Sequence, residues 1–137
     1  MLSIQISDIK DFMSHLLSKD TFDHFYFIEA SIKMGVSYQI QGRINEGFYD
    51  TSVEQTLNRE FCYWKEIRHR IFDIIKGKRL PLSCKIVLGL SKQSISYLIA
   101  HNNSSFREED IEGIYVNILY DPKNLLITTG ISYKNFS

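Results

Sequence analysis

The sequence has few of the residues that cross-link or stiffen a chain. Its 137 residues include two prolines and two cysteines, Cys62 and Cys84. Because no metal-ligand spacing surrounds these cysteines, neither a disulfide framework nor a zinc site is predicted. We expect both thiols to be reduced and the protein to be cytoplasmic. No apolar run approaches the roughly 20 residues that a membrane span needs, and no signal-peptide pattern opens the chain, so we expect no membrane contact.

The sequence also lacks the patterns that carry common catalytic chemistry. It has neither G-x-G-x-x-G nor the Walker pattern, so no phosphate loop is predicted. A serine nucleophile elbow is missing as well. Its four histidines, none at the spacing of paired metal ligands, are His15, His24, His69 and His101. We therefore predict no catalytic residue, no metal and no cofactor.

The composition that remains is typical of a compact domain. Hydrophobic residues make up 44% of the chain and aromatic residues 13%, which is enough apolar surface for one core at this length. We predict a single domain over residues 1–137.

The strongest local pattern is an apolar stripe at helical spacing. It consists of Trp64, Ile67, Ile71, Ile74 and Ile75. This periodicity predicts an amphipathic helix over residues 60–76 that packs across a sheet. Gly77 and Pro81 are typical of a helix end.

Two stretches on either side of this helix share one order of elements, β-α-β-β. The pseudo-repeat halves are about 1–45 and 82–134, and the connecting loop and helix fill 46–81. In the first half Tyr26, Ile28, Ala30 and Ile32 are predicted to share one face of a strand. The pattern therefore predicts an α+β fold with an antiparallel sheet.

This repeated order is carried by the segments LSIQISDIKDFMSHLLSKDTFDHFYFIEAS and LSCKIVLGLSKQSISYLIAHNNSSFREEDIEGIYVNILYDPKNLLITTG. It resembles the domain plan of the DNA sliding clamps over roughly half of the chain, which implies a clamp-like fold. The segment IKGKRLPLSCKIVLGLS resembles one in a small family of uncharacterised bacterial proteins. That resemblance covers most of the chain and implies no activity.

Charge is segregated although the formal net charge is zero. Residues 1–60 carry five basic and nine acidic side chains, and residues 61–79 carry six basic and two acidic ones. The six are Lys65, Arg68, Arg70, Lys76, Lys78 and Arg79. These are the predicted binding residues, and their local excess suits an acidic protein or nucleic acid.

The sequence favours a non-enzymatic binding or assembly module that contacts an acidic partner through this basic helix. One alternative is a small enzyme with a pocket between loop 45–59 and helix 60–76, which would use Asp50, His69 or Arg70. Another is a structural homo-oligomer. Single-strand stacking on Tyr63, Trp64, Tyr97 and Tyr115 would support nucleic-acid binding, although aromatic residues at these spacings more often belong to a core.

Overall fold

The described elements are three α-helices and six strands, and the α+β prediction is confirmed. The computed structural model describes residues 2–49, 59–101, 109 and 111–133, and for residues 97–99 and 101 it describes the backbone alone. In chain order the elements are β1 (Ser3–Gln5), α1 (Ile9–Leu17), β2 (Tyr26–Lys33), β3 (Ser37–Gln41), a short 3₁₀ helix (Glu46–Phe48), α2 (Trp64–Ile75), β4 (Ser83–Gly89), α3 (Lys92–His101), β5 (Ile111–Tyr120) and β6 (Leu125–Tyr133).

The strands form one antiparallel sheet in the order β1-β6-β5-β4-β2-β3. The hairpins β2-β3 and β5-β6 pair as adjacent strands, as the alternating sequence predicts. The two halves nevertheless use their first strands differently: β4 pairs with β5 of its own half, whereas β1 pairs with β6 of the other half. The shared order of elements therefore does not extend to the strand pairing.

The core lies on one face of this sheet, under α1 and α2. Its buried members are Leu16, Leu17, Phe27, Ala30, Ile32, Trp64, Ile71, Cys84, Ile86, Leu88, Ile118, Tyr120 and Leu125. The indole N–H of Trp64 donates to the carbonyl oxygen of Leu16 at 2.8 Å, so the two helices are joined inside the core. Within the described residues, no helix is long and apolar enough to cross a membrane.

A β-bulge changes which residues of β2 face the core. The pairing of β2 with β4 shifts register at Ile28, so Phe27, Ala30 and Ile32 are buried while Tyr26 and Ile28 are only half-buried. The prediction that Tyr26 and Ile28 share the face of Ala30 and Ile32 was wrong, because a bulge reverses the alternation on one side of itself.

The predicted helix 60–76 is shorter than expected, and α2 begins four residues later. Residues 60–63 are instead extended between two strand segments. The backbone N–H of Phe27 donates to the carbonyl of Cys62 at 2.8 Å, and the N–H of Cys62 donates to the carbonyl of Gly42 at 2.9 Å. These bonds satisfy backbone groups that a first helical turn would leave without partners.

Candidate functional site

The six predicted binding residues do not form one surface. Five of them are exposed, and Arg68 is buried. Its guanidinium donates to both carboxylate oxygens of Asp23, at 2.8 and 3.1 Å, and to the carbonyl of Leu17 at 3.3 Å. Both charged side chains are nearly inaccessible. Arg68 is therefore removed from the predicted surface, because its charge is used inside the protein to join α2 to the segment between α1 and β2.

The other five residues are exposed but spread along α2 and beyond it. Lys65 lies in the first turn of α2, and Arg70 lies near its middle. Lys76, Lys78 and Arg79 follow the last turn, about three helical turns from Lys65. These last three belong to a larger group that the sheet assembles.

Three of the segments at one end of the sheet make up what we call the basic end: residues 33–36, 76–85 and 121–124. Lys33 pairs with Ser83 across β2 and β4, and the N–H of Leu82 donates to the carbonyl of Lys33 at 2.8 Å. Cys84 pairs with Tyr120 at the end of β5. The β2–β3 turn, the segment before β4 and the β5–β6 turn therefore lie side by side.

The basic end carries six basic side chains and one carboxylate. The basic residues are Lys33, Lys76, Lys78, Arg79, Lys85 and Lys123. The carboxylate of Asp121 accepts hydrogen bonds from the backbone N–H groups of Lys123 and Asn124, both at 2.8 Å, which holds it in the turn. Lys76 pairs with Asp73 at 3.1 Å. None of the ion pairs among the described residues includes Lys33, Lys78 or Arg79.

Two leucines project from the basic end beside these charges. Gly77 has a φ of 147°, which favours glycine and lets the chain turn away from α2. Pro81 is fully buried and anchors the segment, while Leu80 and Leu82 on either side of it are 66% and 69% exposed. Val36 in the neighbouring β2–β3 turn is 64% exposed. The segment is thus anchored at its centre and presents apolar side chains to solvent.

A shallow depression of about 440 Å³ lies beside these leucines. Its polar lining includes Ser31, Lys33, Ser83, Lys85, Asp121 and Asn124. Two lysines and two serines against one aspartate give this lining an excess of groups that can bind a small anion such as a phosphate.

The opposite end of the sheet, which we call the aromatic end, comprises residues 23–27, 42–44 and 59–66. The Arg59 guanidinium donates to both carboxylate oxygens of Glu66, at 2.7 and 3.2 Å, and lies 4.4 Å from the ring centre of Tyr63. Arg43 repeats the arrangement, 2.6 Å from Glu60 and 5.2 Å from the ring of Phe61. Each guanidinium here is both ion-paired and stacked.

The aromatic residues considered for base stacking are divided between different places. Trp64 is fully buried in the core and cannot stack on a ligand. Tyr63 stacks on Tyr26, with the ring centres 5.4 Å apart, so one of its faces is covered by Tyr26 while Arg59 lies over the ring as well. Tyr115 is half-buried, and the side chain of Tyr97 lies outside the described residues. The rings at the aromatic end therefore pack mainly on each other.

Cys84 is buried and Cys62 is half-buried. Burial raises the pKa of Cys62 to about 11 and that of Cys84 to about 12. Each is therefore almost entirely protonated at neutral pH, whereas a cysteine nucleophile needs its thiolate. The side chains of Arg68 and Glu66, both near Cys62 in sequence, are engaged with Asp23 and Arg59. This geometry suits structural cysteines.

The residues of the alternative enzyme pocket fall partly outside the described part of the chain. Asp50 lies outside the described residues, as does loop segment 51–58. His69 and Arg70 are exposed on α2. Within the described part of the chain, no group of three histidine, cysteine, aspartate or glutamate side chains could hold a metal ion.

One depression of about 450 Å³ does contain a histidine, His15 on α1. Its Nδ1 atom lies 2.9 Å from the Thr21 hydroxyl, and its Nε2 atom lies 3.7 Å from the carboxylate of Asp11. The second distance is too long for a hydrogen bond, so the carboxylate does not fix the ring as a catalytic orienting group would.

The chain was compared with models of known protein families. A family model described as a family of unknown function, DUF5721, matches residues 15–137. The chain belongs to this family. The expected membership of a family of unknown function is thereby confirmed. No curated protein and no solved structure matches the chain.

Sequence patterns alone missed several residues of the basic end in this DUF5721 member: Lys33, Val36, Leu80, Leu82, Lys85 and Lys123. Lys33 and Lys123 are remote from helix α2 in sequence and are joined to the basic end only by strand pairing, while Lys85 lies on β4, beyond the local run of charge that ends at Arg79. For the two leucines a signal was available, since they flank a proline directly after Lys78 and Arg79. Two leucines exposed in a loop beside a lysine and an arginine form a small apolar patch next to positive charge, and such patches often mark interaction sites.

Proposed function

We propose that this protein is a non-enzymatic binding or assembly module that contacts an acidic partner through its basic end, with nucleic acid as the first partner to test. One observation carries the proposal: the three segments of the basic end hold six basic side chains and one carboxylate, and Lys33, Lys78 and Arg79 are in none of the described ion pairs. Such a surface attracts anions and raises the rate at which they associate.

The contact would be made by side chains rather than by a helix dipole. The C-terminus of α2 points toward the basic end, and its partial negative charge disfavours anions there. Lysine ammonium groups and the Arg79 guanidinium would therefore have to supply the attraction. Binding of a polyphosphate by several such groups releases counterions, so its affinity should fall steeply with salt.

The test is a titration of fluorescent duplex and single-stranded DNA with the protein at about 50 and 200 mM salt. Binding should weaken steeply between the two concentrations, and Lys78→Glu with Arg79→Glu should abolish it. The matched control is Lys10→Glu with Lys19→Glu, two exposed lysines, the first in the first turn of α1 and the second just after its end. This control carries the same change in net charge and should keep the wild-type affinity.

The possible outcomes test the identity of the partner and the location of the binding surface separately. If neither DNA binds at low salt, nucleic acid is removed as the partner. If Lys10→Glu with Lys19→Glu lowers the DNA affinity and Lys78→Glu with Arg79→Glu does not, the contact is made by α1, as the clamp-like element order would imply. Light scattering on the same samples tests the structural homo-oligomer, for which a mass above the 16.0 kDa monomer is expected.

A further inference from the structure

We propose that the basic end docks on an anionic membrane surface. Leu80 and Leu82 would enter the boundary between headgroups and acyl chains, while Lys78 and Arg79 would contact lipid phosphates. The proposal rests on the proposed function, because it names the acidic partner. It also departs from the sequence-based expectation of no membrane contact, since it concerns binding at the surface and not a span.

The exposed leucines are the first part of the argument. Each is about two-thirds accessible although the fully buried Pro81 lies between them. The fold therefore anchors this segment through the proline and still leaves both neighbours in water. Val36 adds a third exposed apolar side chain from the adjacent turn. Apolar side chains grouped in this way mark an interaction surface more often than isolated ones do.

The charges are arranged around these apolar side chains. Lys78 and Arg79 immediately precede Leu80, and the backbone of Lys33 is bonded to that of Leu82 at 2.8 Å. Lysine and arginine can keep their charged groups at headgroup level while their alkyl stems lie along apolar surface. Apolar insertion with cations at the rim is the arrangement used by proteins that bind in the membrane interface.

The shape of the basic end favours a membrane over the other acidic partners. Leu80 and Leu82 project into solvent with about two-thirds of their surface exposed, whereas an amphipathic peptide would need a groove to receive its apolar side chains. A nucleic-acid backbone would leave both leucines in water. A bilayer accepts projecting apolar side chains, and the adjacent depression with Lys33 and Lys85 can receive a headgroup phosphate.

The experiment is co-sedimentation of the full chain with vesicles of phosphatidylcholine alone or mixed with phosphatidylglycerol. Wild type should pellet with the mixed vesicles and stay in solution with the neutral ones. Leu80→Ser with Leu82→Ser should lower the partition coefficient for the mixed vesicles about tenfold or more, both at about 50 and at about 200 mM salt. Lys78→Glu with Arg79→Glu should remove the preference for anionic vesicles.

Two control variants show whether position matters. Phe48→Ser removes an exposed apolar side chain that lies outside the basic end, and Lys10→Glu with Lys19→Glu reverses two exposed charges at α1; both should bind vesicles as wild type does. Because Trp64 is buried in the core, a Leu82→Trp variant supplies the second measurement. Its added fluorescence should be quenched by lipids that carry a quencher near the headgroup.

The failures are distinguishable. If the leucine-to-serine variant pellets as wild type does, or if the added fluorescence of the Leu82→Trp variant is unaffected by the quencher, the membrane proposal is overturned. If the protein binds DNA in a salt-dependent way but no vesicles, the membrane proposal falls and the proposed function stands. If it binds neither, the membrane proposal falls and nucleic acid is removed as the acidic partner of the proposed function.

Discussion

The two ends of the sheet use basic side chains in different ways. At the aromatic end, Arg59 and Arg43 are each paired with a glutamate and stacked on a ring. At the basic end, Lys78 and Arg79 enter none of the described ion pairs, and the apolar side chains beside them are exposed. The first end uses both guanidinium groups in intramolecular contacts, whereas at the second the described ion pairs include only Lys76, with Asp73.

This difference follows from what each end must hold together. The aromatic end inserts residues 60–63 between two strand segments, and the ion pairs and stacked rings keep that insertion in place. The basic end is a set of turns already closed by backbone hydrogen bonds, such as that from Leu82 to Lys33. Its exposed side chains add little to folding. Substitutions at the two ends should therefore differ in their effect on stability, and a variant series can test this.

The largest effect is expected where a charge is buried. Arg68→Ala would leave the Asp23 carboxylate without its partner inside the protein, and should lower the free energy of unfolding by about 3–5 kcal/mol. Arg70→Ala, two residues further along the same helix but exposed, should change it by less than about 0.5 kcal/mol. Chemical denaturation of both variants measures the contrast. Equal stabilities would show that the buried pair does not anchor α2.

The next effect compares two glycines, one at each end. A side chain at Gly42 would overlap the backbone carbonyl of Phe27, and backbone cannot move aside as a flexible side chain can. Gly42→Ala should therefore destabilise the protein by about 1–3 kcal/mol. Gly35→Ala in the β2–β3 turn meets nothing within 4 Å and serves as the control. Thermal melts of the two variants should separate clearly, and a Gly42→Ala melt at the wild-type temperature would contradict the close approach.

A smaller effect is expected from the ion pair that caps α2. The Arg59 guanidinium hydrogen-bonded to Glu66 lowers the pKa of that carboxyl below its ordinary 4.5. A carboxyl whose pKa is lowered by folding stabilises the protein above its unfolded pKa, and this contribution is lost as the pH falls through the folded value. Because the side chain is 39% exposed, Glu66→Gln should cost about 1 kcal/mol or less at neutral pH.

The pH profile is the check on that effect. Urea denaturation of wild type and Glu66→Gln at several pH values from about 7 to 3 should show a difference that shrinks toward acid. Lys78→Gln at the basic end is the matched control and should show no such pH-dependent difference. A Glu66→Gln difference that stays constant across the range would mean that packing, not charge, holds the contact.

Much of this fold could be predicted from periodicity, and the exceptions have physical causes. The stripe through Trp64 and Ile71 identified the helix that covers the sheet, because burial imposes a 3.6-residue period. Its first turn was predicted wrongly because strand pairing on both sides of residues 60–63 outweighs helical propensity. The bulge at Ile28 leaves no mark in the alternation. Both depend on contacts between segments remote in sequence.

The candidate site was predictable only in part for the same reason. Lys78 and Arg79 were identified from local charge, and Lys76 with them. Arg68 has the same local signature, yet its partner Asp23 lies far away in sequence, so composition could not separate a buried pair from a surface charge. Lys33 joins the basic end only through its pairing with β4. Counting charges along the sequence shows the excess of positive charge, but the pairing of the strands determines which of these charges lie close together.

The smallest effect on stability is expected from the leucines of the basic end, and this tests the comparison most directly. Leu80→Ser with Leu82→Ser removes side chains that are already about two-thirds exposed, so the free energy of unfolding should change by less than about 0.5 kcal/mol. Leu125→Ala in the core, where the side chain is fully buried, should cost about 2–5 kcal/mol. Urea denaturation of the two variants measures the difference. A large loss of unfolding free energy in the double variant would mean that these leucines support the fold. The proposed difference between the aromatic end and the basic end would then no longer hold.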